Sequence, residues 1–162
     1  MKSTGRSRAM GVYCDTNFLV RLYATAPSRE EALNRIAAQD RRGHRIPITW
    51  LHELELTNAL QQMVLLARTG TGMSFTPEQA SLGLLQFEDD LREAQRFTVT
   101  SVATHELVRQ AGELSLRHTA RHGFRAYDVA HVACALLLKC DRFWSFDVRA
   151  SKLAELEGLK TL

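Results

Sequence analysis

Cysteine is scarce in this sequence and cannot pair off. The three present, Cys14, Cys134 and Cys140, form an odd set without metal-ligand spacing, so no disulfide framework or thiolate metal site is implied. Each lies in an apolar segment, where a free cysteine serves as a small buried hydrophobe. Long hydrophobic runs are missing as well. The longest nearly uncharged one, Val129 to Leu138, is about half of a membrane span, which excludes a membrane helix on these terms. No apolar signal-peptide core follows the basic N-terminus, so a cytoplasmic protein is expected. Repeats and low-complexity segments are absent.

Charge excess is also missing from most of the chain. The net charge is +3 and the isoelectric point is near 9.0. Lys2, Arg6 and Arg8, with no acid among residues 1–9, supply all of that excess. From Met10 onward the formal charge is zero, so any contact with phosphates must come from local clustering rather than bulk basicity. Residues 1–9 read as a basic N-terminal extension, and Met10, just ahead of the first strand, is an alternative start. What remains is ordinary for a globular chain: 162 residues, 45% hydrophobic and 24% charged, enough for one domain with a substantial core.

Short apolar strands alternate with amphipathic helices. Residues 11–15 read as a buried strand, followed by a turn and helix from Thr16 and Asn17. Pro27 and Ser28 open a helix to about Arg42, with Ser28 and Glu31 at capping-box spacing. Residues 45–49 suit a second strand, and a helix runs from Trp50 to Arg68. The break at Thr69-Gly70-Thr71-Gly72 precedes a helix begun by Thr76 and Pro77, with Gln79 able to reach back. Residues 97–101 form the third strand. Helices follow at about 104–119 and 126–139, then a strand at 142–145, a helix around 150–157 and a possible edge strand at 159–162. This order predicts an α/β fold, a three-layer α/β/α, Rossmann-like single domain with a short parallel sheet. Ligands in such sheets bind beyond the carboxyl ends of strands, where Asp15 and Asp147 fall.

Four acids, Asp15, Glu55, Asp128 and Asp147, lie in mainly apolar or helical contexts that give a carboxylate little reason to be there. Acidic groups near an apolar core repel each other unless paired. A hard divalent cation with oxygen ligands resolves that conflict and points to metal-dependent phosphodiester chemistry. Each acid has a plainer alternative. Asp15 and Asp128 sit where a carboxylate caps a helix or meets its dipole, and Asp147 fits a turn. Glu55 competes with Glu53, since both flank the apolar arc of Leu56, Ala59, Leu60, Met63, Leu66 and Ala67, and periodicity does not choose between them.

The segments carrying these acids resemble the PIN-domain nucleases, in particular the VapC-type toxins of bacterial toxin–antitoxin pairs. Val12-Tyr13-Cys14-Asp15-Thr16-Asn17 is similar to the family's first motif, and Glu55-Leu56-Thr57-Asn58-Ala59-Leu60 to its second, which favours Glu55 over Glu53. Arg125 through Leu136, around Asp128, resembles the third. Asp141 through Arg149, with Asp147, resembles the fourth. The resemblance covers residues 10–162, with 68–100 the least diagnostic part.

Several expectations follow from that resemblance. The chain is a PIN-like domain in which Asp15, Glu55, Asp128 and Asp147 hold one or two Mg²⁺ (or Mn²⁺) ions. It cleaves RNA by metal-activated water, leaving a 5′-phosphate, and is inhibited by a small cognate antitoxin. The resemblance also implies a homodimer. Thr16, Asn17 and Ser145 are candidates to orient the acids. Arg21, Arg121, Arg125, Arg149 and Lys152 are candidate RNA contacts. His131 reads as a packed core histidine, and Trp50 and Trp144 as core residues able to stack bases. Two other readings stay open: an inactive PIN-fold binding module, and a phosphatase of the haloacid dehalogenase type. The latter wants a second Asp two residues after the first, where this chain has Asn17. The RNA target is not legible in these motifs.

A chain started at Met10 should melt at the same temperature as the full chain, because residues 1–9 carry no apolar pattern to dock. It should bind RNA more weakly at low salt, having lost three cations. A marked drop in melting temperature would show the extension to be structural.

Overall fold

The structure is a computed structural model that describes residues 11–24 and 28–162. The elements are β1 (Val12–Cys14), α1 (Thr16–Tyr23), α2 (Arg29–Asp40), β2 (Ile46–Ile48), α3 (Trp50–Arg68), α4 (Pro77–Glu93), β3 (Phe97–Val99), α5 (Thr104–His122), α6 (Ala126–Leu137), β4 (Arg142–Trp144) and α7 (Val148–Leu156). The extension over residues 1–9 and the expected helix start at Pro27 lie outside the described residues. Among the described residues no helix is long and apolar enough to cross a membrane.

The strands carry one face into each of two cores, as their two-residue period requires. Val12 and Cys14 of β1 and Trp144 of β4 pack with α1, α2, α3 and α4. Tyr13 and Phe143, the intervening residues, pack with α5, α6 and α7. Helices therefore cover both faces, giving the expected three-layer α/β/α arrangement. All three cysteines are free and buried.

β1 pairs in parallel with β4, in the register Val12↔Arg142, and β2 pairs in parallel with β3. The expected short parallel sheet is present as two two-stranded ladders. At the C-terminal end of β1, the Cys14 carbonyl bonds His52 Nε2 at 2.8 Å, and the Thr49 amide donates to His52 Nδ1 at 3.0 Å. A side chain from the first turn of α3 thus links the two ladders. Burial, with the nearby His131, lowers the His52 pKa to about 3, so the ring is neutral and carries its proton on Nε2. Residues 159–162 add one parallel bridge, Arg142↔Lys160, rather than a full edge strand.

Local chemistry accounts for most helix ends. Thr76 and Gln79 form a reciprocal capping box on α4, with Pro77 in its first turn. The Ser28–Glu31 box does not form. Ser28 has a φ of 67° in the left-handed region, whereas a capping side chain works from extended backbone, and Glu31 pairs with Arg35 at 3.0 Å. Asp147 starts α7 two residues earlier than expected by accepting from the Arg149 amide at 2.8 Å.

Two helix glycines separate packing from propensity. A Cβ on Gly83 would lie 2.6 Å from the Tyr23 carbonyl oxygen, because α4 crosses the end of α1 at backbone contact. Gly112, in α5, faces open space. Gly83→Ala should therefore destabilise by about 1–2 kcal/mol, while Gly112→Ala should stabilise by up to about 1 kcal/mol. Chemical denaturation of both variants checks the opposite signs.

Candidate active site

The four acids come from four separate elements and line a single cavity of 760 Å³. Asp15 follows β1, Glu55 lies on α3, Asp128 in the first turn of α6, and Asp147 just after β4. Parallel pairing of β1 with β4 brings Asp15 and Asp147 to the same edge. Glu53 is exposed and is not part of the lining, so only Glu55 of the two glutamates faces the cavity.

Each aspartate is fixed by a main-chain N–H. Asp15 Oδ1 accepts from Phe18 at 3.0 Å, Asp128 Oδ2 from Arg125 at 3.1 Å, and Asp147 Oδ1 from Arg149 at 2.8 Å. Asp15 and Asp128 thus have the expected role at a helix start, and Asp147, expected in a turn, caps α7, yet each role coexists with a place in the cavity. A cap uses one carboxylate oxygen and leaves the other free to point outward. The Ser145 hydroxyl bonds the Asp15 carboxylate and accepts from the Asp147 amide at 2.9 Å, tying two acids together. Thr16 and Asn17 also line the cavity, and among the described residues the buried Asn17 Oδ1 has no hydrogen-bond partner.

Burial dominates the electrostatics. Asp15 is 5% exposed, and its desolvation raises its pKa to about 6 despite hydrogen bonds from Ser145 and Phe18 and the proximity of His131. Asp128 is raised as well, by burial first and with Asp147 adding repulsion. Glu55 behaves differently. Burial is the largest single influence and pushes it up, but the hydrogen bond and charge interaction with His131 and the hydrogen bond from Thr16 together outweigh it and leave the group below the ordinary value.

These residues fit a hard divalent cation in their chemistry: anionic oxygens predominate, one of them strongly desolvated, with an unpartnered amide oxygen beside it. Among the described residues, no three His, Cys, Asp or Glu side chains converge closely enough to hold an ion as they stand. Mg²⁺ does not require that, since it keeps several waters and commonly takes one or two carboxylates.

The candidate cations divide. Arg125 lines the cavity. Arg149 and Lys152, with His122 and Phe124, line an adjoining notch of 410 Å³ that shares Asp147 with it. Arg21 lies outside the lining, its guanidinium 5.8 Å from the Phe146 ring, and Arg121 is exposed on α5. Trp144 is buried against Phe18, but Trp50 is 50% exposed, so the expectation of core packing fails for it. Position at the start of α3 leaves its ring outside both cores. Several lining residues were not assigned to the site from the sequence, Tyr127 and His131 among them. Tyr127 is 48% exposed at the cavity, its only signal being its place beside Asp128. His131 is buried as expected, yet it also reaches Glu55 at 2.6 Å.

A family model described as PIN domain matches residues 12–156. The fold is similar to a chain of VapBC2 from Rickettsia felis, solved bound to a DNA fragment from their promoter, with TM-score 0.65 and 15% identity over 94% of this chain and 98% of that one. VapBC-1 from nontypeable Haemophilus influenzae gives 0.60 and 14%, over 94% and 97%. VapC20 from Mycobacterium tuberculosis, a sarcin-ricin loop cleaving toxin, gives 0.59 and 18%, over 88% and 94%. No curated protein matches the chain.

The Asp15 shift has a definite sign. The folded protein binds the proton more tightly than the unfolded chain, so in the metal-free protein this group's contribution to stability falls as pH rises from about 4 through about 6. Asp15→Asn keeps an oxygen for the Phe18 amide and removes the buried charge. It should stabilise the metal-free protein by roughly 2 kcal/mol at pH 7, with the gain vanishing near pH 4. Denaturation curves at the two pH values measure the difference.

Proposed function

Because the chain belongs to the PIN domain family, we propose that it is a metal-dependent endoribonuclease of the VapC toxin type, its nuclease domain spanning residues 10–162. The observation that carries this reading is the meeting of Asp15, Glu55, Asp128 and Asp147, far apart in sequence, in one cavity. A bound Mg²⁺ or Mn²⁺ supplies Lewis acidity at the scissile phosphate and a nucleophile from water at neutral pH.

The chain's own residues do the rest. Asp15, Glu55, Asp128 and Asp147 offer the ion negative charge in a partly desolvated setting, where it counts for more than in water. Ser145 keeps Asp15 and Asp147 in register. Arg125 at the rim, and Arg149 and Lys152 in the adjoining notch, can hold flanking phosphates and so set the strand's direction across the acids. Tyr127 offers an exposed ring on which a base can stack. Hydrolysis on this pattern leaves a 5′-phosphate and a 3′-hydroxyl.

An antitoxin partner belongs to the same proposal, since two of the similar structures are of VapBC proteins. An acidic cavity is a ready site for a partner's guanidinium, which binds carboxylates bidentately and would displace the metal. A homodimer and a cytoplasmic location complete the reading. An inactive PIN-fold module is the rival, and catalysis separates them. The phosphatase alternative has no support from the family match, and Asn17 stands where its second Asp is needed.

With Mg²⁺ or Mn²⁺ the protein should cut RNA to 5′-phosphate ends, and EDTA should stop it. Asp15→Asn, Asp128→Asn and Glu55→Gln should each lower the rate by about 10²-fold or more while remaining folded, whereas Glu53→Gln should change it only a few-fold. Undiminished cleavage in EDTA would falsify the metal mechanism. An inactive wild type that still binds RNA would favour the binding module.

A further inference from the structure

The four acids are not held alike. The three aspartates sit at helix starts, where free main-chain N–H groups fix their carboxylates. Glu55 lies inside α3, where the amides are committed to the helix, and among the described residues no main-chain N–H reaches its carboxylate. It is also the longest of the four, with the most rotamer freedom to lose. Its orientation must come from side chains on other elements.

Two supply it. His131 Nε2 lies 2.6 Å from Glu55 Oε2, and the Thr16 hydroxyl reaches the same carboxylate. His131 is itself braced. Its Nδ1 lies 2.8 Å from the Tyr13 hydroxyl, Thr16 Oγ1 is 3.2 Å from Nε2, and the His52 ring packs against it at 4.9 Å between centroids. Tyr13 is fully buried and His131 is 2% exposed, so neither ring has room to swing. With the Tyr13 hydroxyl donating to Nδ1, the Nε2–H is directed at Glu55. The chain runs from β1 through α6 to α3, with its last member in the cavity.

We propose that His131, braced by the Tyr13 hydroxyl, is the positioning residue that aims Glu55 at the metal site. The proposal rests on the metal-dependent reading of the cavity. A core histidine that merely filled space would need neither a partner on each nitrogen nor contact with the one acid that lacks a main-chain anchor. Hydrogen-bond partners behind a metal's ligands generally matter for affinity by about 10–100-fold.

The test is Mn²⁺ binding by calorimetry on the full chain, alongside thermal melting, for the wild type, His131→Leu, His131→Gln and Tyr13→Phe. Glutamine can present an N–H near the position of Nε2, and leucine cannot. His131→Leu should weaken Mn²⁺ binding by about 10–100-fold, and His131→Gln should recover most of the loss. Tyr13→Phe should cost several-fold, since the ring stays and only the brace is removed. Wild-type affinity in His131→Leu would overturn the proposal, as would a His131→Gln variant as impaired as the leucine one. If His131→Leu does not fold, Tyr13→Phe decides, and wild-type Mn²⁺ affinity there overturns it. A wild type that binds no Mn²⁺ and cleaves RNA in EDTA is a different failure, that of the metal reading itself, and takes the proposal with it.

Discussion

The buried carboxylate of Asp15 is the constraint around which the structure is arranged. It stands at the end of β1, 5% exposed, between two cores that offer no solvent to stabilise its charge. Three neighbours reduce the resulting cost without cancelling it, while the Glu55 carboxylate adds to it. The α1 N-terminus gives one N–H, Ser145 gives a hydroxyl, and His131 lies close by. The carboxyl still titrates well above the ordinary range. A fold selected for stability alone would replace such a group, whereas a cation site requires one.

Charge segregation, rather than charge excess, distinguishes this surface. From Met10 onward acids and bases balance. Acids are nevertheless gathered in the cavity, while Arg149 and Lys152 gather in the notch that shares Asp147 with it. Separation of this kind is invisible to an isoelectric point, and it is what a polyanionic strand would respond to at a scale comparable with the screening length.

Local chemistry was legible in the sequence where local chemistry decides. The α4 cap, the strand–helix alternation and the burial of three cysteines follow from neighbouring residues alone. The four acids could be named because their contexts are locally anomalous, and their meeting in one cavity follows from parallel pairing. What escaped depends on contacts between distant elements. Ser28 has the right residue type for a cap but the wrong backbone conformation. His52 links the two ladders through a partner far from it in the sequence, the Cys14 carbonyl. His131 has ordinary helical spacing, and only the approach of α3 reveals that it faces Glu55.

Pairing of β1 with β4 also has a consequence in time. The two strands join segments about 130 residues apart, and Asp128 and Asp147 come well after Asp15 and Glu55. As a ribosome extends the polypeptide, Asp15 and Glu55 emerge first, without the ladder or the other two acids that complete the cavity. The nascent chain therefore acquires the whole acidic centre only once Asp147 has been added. Prematurely released fragments that stop before β4 lack Asp147 and the ladder that brings it beside Asp15.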